Sequence, residues 1–415
     1  MNRSILLSPL SGRSKRCRVT VVALTALAMG GTGAIVATGA SASSHGQGWF
    51  RGWPGQGNDR SWPAPSQSPG WGLPTGSPSA TPTADPTASP TSVPPTTSTS
   101  PSASAPVATP GDTDGGGSTT EPVATGAVGW ATQNGGTTGG SASKVVKVSD
   151  ASTFTSAVTS STPQTVQVSG SIALSGMIKV ASDKTIVGTG SNATITGGGL
   201  DLSGVKNVIV QNVNFKNWDD DAINVQSSST NIWIDHNSFS NGKDGTVDIK
   251  RASDYVTVSW NHFFDHDKTC LLGHSDGNGS EDEGHLRVTY HHNWFDGTEQ
   301  RHPRVRFGNP VHVYNNYYSN ISGYGVASTE GAGVLVESNY FENVEDSFHL
   351  GEADSGPGTL VAKNNKLVNS GSGQASGSVA TVPYSYSADS ADSVKSLVTA
   401  GSGPGHMRSA GRSAD

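Results

Sequence analysis

The sequence predicts an all-β fold, a right-handed single-stranded parallel β-helix whose coils stack along one axis. Two observations carry this. Seven segments, beginning at Val208, Ile232, Val256, Val288, Val311, Val334 and Leu360, repeat one eight-residue pattern at intervals of 24, 24, 32, 23, 23 and 26 residues. Each opens with apolar or β-branched residues at alternate positions, as a half-buried strand requires, and each ends on an apolar or aromatic residue. A period near 24 holds three short strands and three turns but no helix, with strands of neighbouring coils about 4.8 Å apart. Secondly, six of the seven carry Asn at position six: Asn237, Asn261, Asn293, Asn316, Asn339 and Asn365. Asn tolerates left-handed backbone angles and its amide pairs with the Asn above and below, so this step is expected to be a tight bend. A leucine-rich horseshoe has the same period, but its Leu signature is missing.

The segments around the coils follow in order. Arg3, Arg13, Lys15, Arg16 and Arg18 precede an apolar stretch from Val19 to Val36 and the small residues Ala40-Ser41-Ala42, so residues 1–42 read as a cleaved signal peptide. The apolar stretch is diluted by Gly and Thr and has no basic stop-transfer flank. A secreted, extracellular protein with no membrane attachment after cleavage is therefore expected. Residues 43–125 show no apolar periodicity; 16 of the 22 Pro lie before residue 126, and Thr75–Pro110 is almost entirely Ser, Thr, Pro and Ala. Such a segment cannot offset its ordering entropy, so a disordered linker is expected. Its four Trp (Trp49, Trp53, Trp62 and Trp71) lack a scaffold that would make them a pocket. Residues 126–403 form the β-helix domain, opened by a helix near Ser149–Val158, and residues 404–415 a flexible tail. Cys17 and Cys270 exclude a disulfide framework, and Cys270 is expected to be a buried free thiol. The formal charge of −7 becomes −12 when the five signal-peptide cations are removed. A protein that coats nucleic acid is thereby excluded.

Counting from each repeat start shows which charges share one flank of the solenoid. Asp219 and Asp221 lie 11 and 13 residues along coil one, and Asp244 and Asp248 lie 12 and 16 along coil two. Lys268 is at 12 in coil three; Arg301 and Arg306 are at 13 and 18 in coil four. Carboxylates on adjacent coils repel unless a cation sits between them, and hard oxygens in a flexible set favour Ca²⁺. The neighbouring cations describe a groove for a polyanion, to which Lys250, two residues beyond Asp248, would add a weaker contact. The 32-residue third coil contains Ser275–His285, and solenoids carry insertions on one face, often the binding face.

On these residues the chain resembles the pectate lyases of polysaccharide lyase family one. The matching motifs are Trp233-Ile-Asp-His236, Asp244-Gly-Thr-Val-Asp248, Lys268 and Arg301-His-Pro-Arg-Val-Arg306, the last being that family's R-x-P-x-x-R. Gly129-Trp-Ala with Thr137-Thr-Gly-Gly140 resembles its start, and Lys184-Thr-Ile-Val-Gly188 its first coils. The resemblance implies cleavage of de-esterified polygalacturonate by β-elimination, leaving 4,5-unsaturated oligogalacturonides. It implies Ca²⁺ held between the uronate and Asp221, Asp244 and Asp248, with Asp219 a less constant ligand. Arg301 would remove the C5 proton, Lys268 and Arg306 would hold the carboxylate at the cleavage subsite, and Lys250 a neighbouring one. A guanidinium is normally protonated, so crowding by cations and an alkaline optimum are expected to accompany an Arg base. Arg304 is expected to point away from Arg301 or to stack structurally, Asp235 and His236 to be structural, and the protein to be a monomer.

Three other functions use similar parts. A polygalacturonase needs carboxylates as general acid and base, which Trp218-Asp-Asp-Asp221 superficially supplies, but has no use for an Arg at the scissile bond. A pectin lyase acting on methylated polymer would not need the Asp cluster. A non-catalytic polysaccharide-binding β-helix would keep the groove without the base and metal ligands.

Overall fold

The computed structural model describes residues 126–407. The expected signal peptide and linker, and most of the expected tail, lie outside the described residues. No helix among the described residues is long and apolar enough to cross a membrane.

The chain winds into a parallel β-solenoid. A ten-stranded sheet running from Val145–Val148 to Thr359–Lys363 collects the first strand of each coil. A fifteen-stranded sheet covers the other two sides, its limbs meeting at the long strand Thr194–Ser203. One limb runs from Asn214–Lys216 to Lys366–Val368; the other, the site limb, comprises Ile223–Gln226, Val247–Ile249, Leu271–Leu272, Arg304–Arg306, Tyr324–Thr329 and Asp346–Leu350. The repeats read from the sequence stand in register, Val208, Ile232, Val256 and Val288 being successive partners.

Position eight of the first six repeats builds the core. Phe215, Phe239, Phe263, Phe295, Tyr318 and Phe341 are buried and stack ring on ring at centroid spacings of 5.2, 5.0, 4.9, 5.1 and 4.3 Å. The Asn ladder also forms: Asn237, Asn261, Asn293, Asn316 and Asn339 each donate their backbone N–H to the amide oxygen of the next, at 2.8–3.1 Å. The bend itself sits one residue earlier than expected. Asn212, His236, Trp260, His292, Asn315, Ser338 and Asn364, all at position five, have φ between 51° and 60°. Placing His or Trp in that region costs about 1–2 kcal/mol. Burying one aromatic ring yields about 1.5–3 kcal/mol, and the ladder's hydrogen bonds add to it, so tertiary packing overrides local preference.

Segments outside the repeat pack on the coils. The helix Ala151–Thr159 matches the expected position; Asp150 caps it by accepting from Ser152 N and Thr153 N, and it buries Phe154, Ala157 and Val158. Trp130, four residues into the described chain, runs far along the ten-stranded sheet and donates its backbone N–H to Thr289 Oγ1 at 3.0 Å. A second helix, Ala391–Gly401, packs Val394 and Val398 on Tyr317 and Tyr340.

Candidate active site

The two-residue alternation of the site limb fixes which side chains leave the core. Val247, Ile249, Leu272 and Val305 point inward and are fully buried, which leaves Asp248, Arg304 and Arg306 on the outer face. Register aligns Ile249, Leu272 and Val305 across three strands. One step back, Asp248 and Arg304 therefore share a row; one step forward, Lys250, Gly273 and Arg306 share the next.

Asp221, just ahead of its strand, and Asp248 converge on Gly245. A Cβ built there would stand 2.7 Å from Asp221 Oδ1 and 2.4 Å from Asp248 Oδ1, so only glycine leaves room for both carboxylates. Burial, then the Asp221 charge, pushes the Asp248 carboxyl up to about 7, against the pull of Arg301 and Lys250. Burial also raises Asp221, chiefly opposed by Lys250, whose Nζ lies 3.5 Å from Asp221 Oδ2. The turn carrying Asp244 and Gly245 rests on Trp218: the buried indole donates to Gly245 C=O at 2.8 Å, and any side chain at Gly242 would strike the ring.

Asp244 is half exposed and pairs with Lys268 at 3.2 Å. Asp219 is not brought to the cluster; its exposed carboxylate lies 4.0 Å from the equally exposed Lys243. Among the described residues no group of three or more His, Cys, Asp or Glu side chains is gathered as a metal centre. Two carboxylates converge and the third is turned to a lysine.

The cations occupy the adjoining coils. Arg301 sits in a turn at φ 67°, with its carbonyl accepting from Cys270 N at 2.7 Å and its Nε buried without a hydrogen-bond partner. Arg306 is largely buried and donates to Asp276 Oδ1, to Gly273 C=O at 3.0 Å and to Ser355 Oγ at 3.2 Å. Arg304 lies on the same face, donating to Ser355 Oγ at 2.8 Å and to Glu352 C=O at 3.0 Å.

A family profile described as pectate lyase matches residues 118–407. The chain belongs to the pectate lyase family. A pectate trisaccharide-lyase of Bacillus licheniformis is 35% identical over 300 residues, covering 67% of this chain and 86% of that protein. A probable pectate lyase A of Neosartorya fischeri is 39% identical over 288 residues, covering 67% and 88%. Among solved structures, a pectate lyase from Bacillus sp. N165 in complex with trigalacturonate is similar at a TM-score of 0.62 and 34% identity, covering 68% of this chain and all of that one. The protein is accordingly a polysaccharide lyase with pectate lyase activity.

Other residues of this pectate lyase stand apart from the cluster of carboxylates and cations. Asp235 accepts from Ser259 Oγ at 2.6 Å and Gln211 Nε2 at 3.0 Å and pairs with His236 Nδ1 at 2.7 Å; the His236 ring stacks on Trp260. The pair belongs to the ten-stranded sheet and its bonding capacity is used structurally, as expected. Cys270 is a fully buried free thiol, which burial holds well above its usual pKa. Sequence reasoning missed Trp218, Asp276 and Ser355. The signal for Trp218 was its place beside Asp219; that for Asp276 was its place in the insertion. Arg304, expected to point away from Arg301 or to stack structurally, shares the outer face of its strand with Arg306, as two-residue alternation requires.

Proposed function

We propose that this pectate lyase is a secreted monomer that cleaves de-esterified polygalacturonate by calcium-assisted β-elimination, with residues 126–403 as its catalytic unit. The observation that carries it is the convergence of the buried Asp221 and Asp248 carboxylates at Gly245, beside the unpartnered Nε of Arg301. Two carboxylates raised chiefly by burial, Asp248 also by the Asp221 charge, form a hard donor set that a cation would satisfy, and this chemistry fits Ca²⁺. Asp221 and Asp248 would hold the ion, with Asp244 joining when Lys268 releases it and Asp219 at most peripheral. When bound, Ca²⁺ supplies positive charge to the uronate carboxylate and so stabilises the charge that develops as the C5 proton leaves.

The chain's own residues do the rest. Lys268, Arg306 and Lys250 offer cations along adjoining coils, which fits carboxylates repeated along a uronate polymer. They counter the mature net charge of −12, which would otherwise repel the substrate. Arg301, as the neutral guanidine, takes the C5 proton; the released electron pair forms the 4,5-double bond as the C4–O bond breaks, and the departing glycosidic oxygen takes a proton from water and becomes the new reducing end. The test is the ultraviolet absorbance of that conjugated bond, with polygalacturonate and highly methylated pectin as substrates. Absorbance should rise on polygalacturonate, vanish with chelator and return with Ca²⁺. Full activity after exhaustive chelation of metal-free protein would exclude the calcium reading, and preference for methylated pectin would favour a pectin lyase.

A further inference from the structure

The 275–285 insertion reaches across three coils to the site limb. Its Asp276 accepts from Arg306 Nε, which holds the carboxylate below its usual range, and also from Ser355 Oγ at 2.8 Å. Ser355 in turn accepts from Arg306 Nη2 at 3.2 Å and Arg304 Nη2 at 2.8 Å. A hydroxyl has one donor and two acceptor sites, so Ser355 is fully committed. Gly273 C=O accepts from Arg306 Nη1 at 3.0 Å. Three of the five guanidinium N–H groups are thus engaged, which leaves one on each terminal nitrogen, the pair that grips a carboxylate end-on.

The insertion is itself anchored. The fully buried Asp282 accepts from Ala252 N at 2.8 Å, two residues beyond Lys250, and Glu281 lies 3.5 Å from Arg251. A Cβ at Gly279 would meet the Phe307 ring at 3.3 Å, so the loop packs on the residue after Arg306.

We infer that Asp276 and Ser355 are positioning residues for the lyase reaction: they fix the plane of Arg306 so that its two free N–H groups face the substrate carboxylate. The insertion is then a part of the active site rather than a decoration of the third coil. The inference rests on the proposed role of Arg306 as a carboxylate ligand. Without the Asp276 anchor, the guanidinium pivots and must be ordered again when the uronate binds, so the loss should fall on substrate binding before chemistry.

The experiment is a double-mutant cycle on polygalacturonate at saturating Ca²⁺. Asp276→Asn should lower kcat/KM about tenfold in the native background, mostly through KM, with the unfolding midpoint nearly unchanged because Asp276 is partly exposed. Ser355→Ala should give a loss in the same direction. In an Arg306→Lys background, Asp276→Asn should have less than a threefold effect, because the anchored group is gone. Equal losses in both backgrounds, or unchanged KM in Asp276→Asn, would overturn the positioning role. Absence of unsaturated product from the native protein would instead overturn the lyase mechanism, a separable outcome.

Discussion

Asp221 and Asp248 come from adjacent coils, yet their Oδ1 atoms point at the same glycine, Gly245, within 2.7 and 2.4 Å of where its Cβ would be. Two buried carboxylates so placed destabilise the protein whenever both are ionised and no cation lies between them. Function is what such an arrangement serves.

Asp248→Asn should therefore stabilise the calcium-free protein while removing its activity. Folding raises the Asp248 carboxyl from 3.8 to about 7. The folded state holds that proton more tightly, so the stabilisation is complete below pH 3.8 and lost as pH rises through 7. At pH 8 the neutral Asn escapes a penalty of up to about 4 kcal/mol. Urea unfolding with chelator should show the variant more stable at pH 8 and equal to the native protein near pH 4. Saturating Ca²⁺ should stabilise only the native protein. A variant less stable than native at pH 8 without calcium would contradict the clash.

Gly245→Ala adds one methyl group where the two carboxylates meet. The ten-stranded sheet and the aromatic stack lie elsewhere, so the solenoid should persist by circular dichroism. The Ca²⁺ concentration for half-maximal activity should rise by roughly 10–100-fold, as for other substitutions that misplace metal ligands. An unchanged calcium requirement would remove Gly245 from the site.

The coil period, the strand starts, the aromatic stack and the Asn ladder were legible because a solenoid repeats its demands, and each coil writes them again in the sequence. The charged flank was legible for the same reason: Asp221, Asp248 and Arg306 fall at comparable distances along their coils. Position five was not, because the left-handed bend accepts Asn, His, Trp or Ser when the next residue joins the ladder, so no residue type marks it. The Ser355 contact was hidden because it joins residues 79 and 49 positions apart, Asp276 and Arg306, through a loop with no repeat. The helix Ala391–Gly401 was missed because its apolar face is only Val394 and Val398 on two tyrosines.

Acid should weaken the fold through His302. Its Nδ1 donates to Tyr324 C=O at 2.7 Å, its Nε2 accepts from Thr298 Oγ1 at 2.7 Å, and burial lowers its pKa from 6.5 to about 4. Protonation of Nε2 would break the second bond. The unfolded chain binds this proton first, so stability falls as pH drops from 6.5 towards 4, by about 3 kcal/mol at the end of the window. Asp248 acts with the opposite sign over part of that range, so the measurement belongs in an Asp248→Asn background. There the urea midpoint should decline steadily below pH 6.5; a flat profile to pH 4 would show that His302 is not held neutral.

Arg301→Lys is the most direct test of the chemistry. The substitution keeps a positive charge near Asp248, so calcium affinity and the Asp248 titration should change little. What it removes is the planar guanidine and its reach: a single ammonium nitrogen cannot stand where the three guanidine nitrogens now lie. If Arg301 takes the C5 proton, kcat should fall by roughly 10²–10⁴-fold, the usual loss of a general base. KM for polygalacturonate should stay near native, because Lys268, Lys250 and Arg306 remain. If Arg306 grips the carboxylate that stays on the sugar throughout, Arg306→Lys should behave differently and raise KM along with lowering kcat. Steady-state rates of unsaturated product at saturating Ca²⁺ separate the two. A near-native kcat for Arg301→Lys would mean that another group takes the proton, and Arg301 would then be one more cation on the groove.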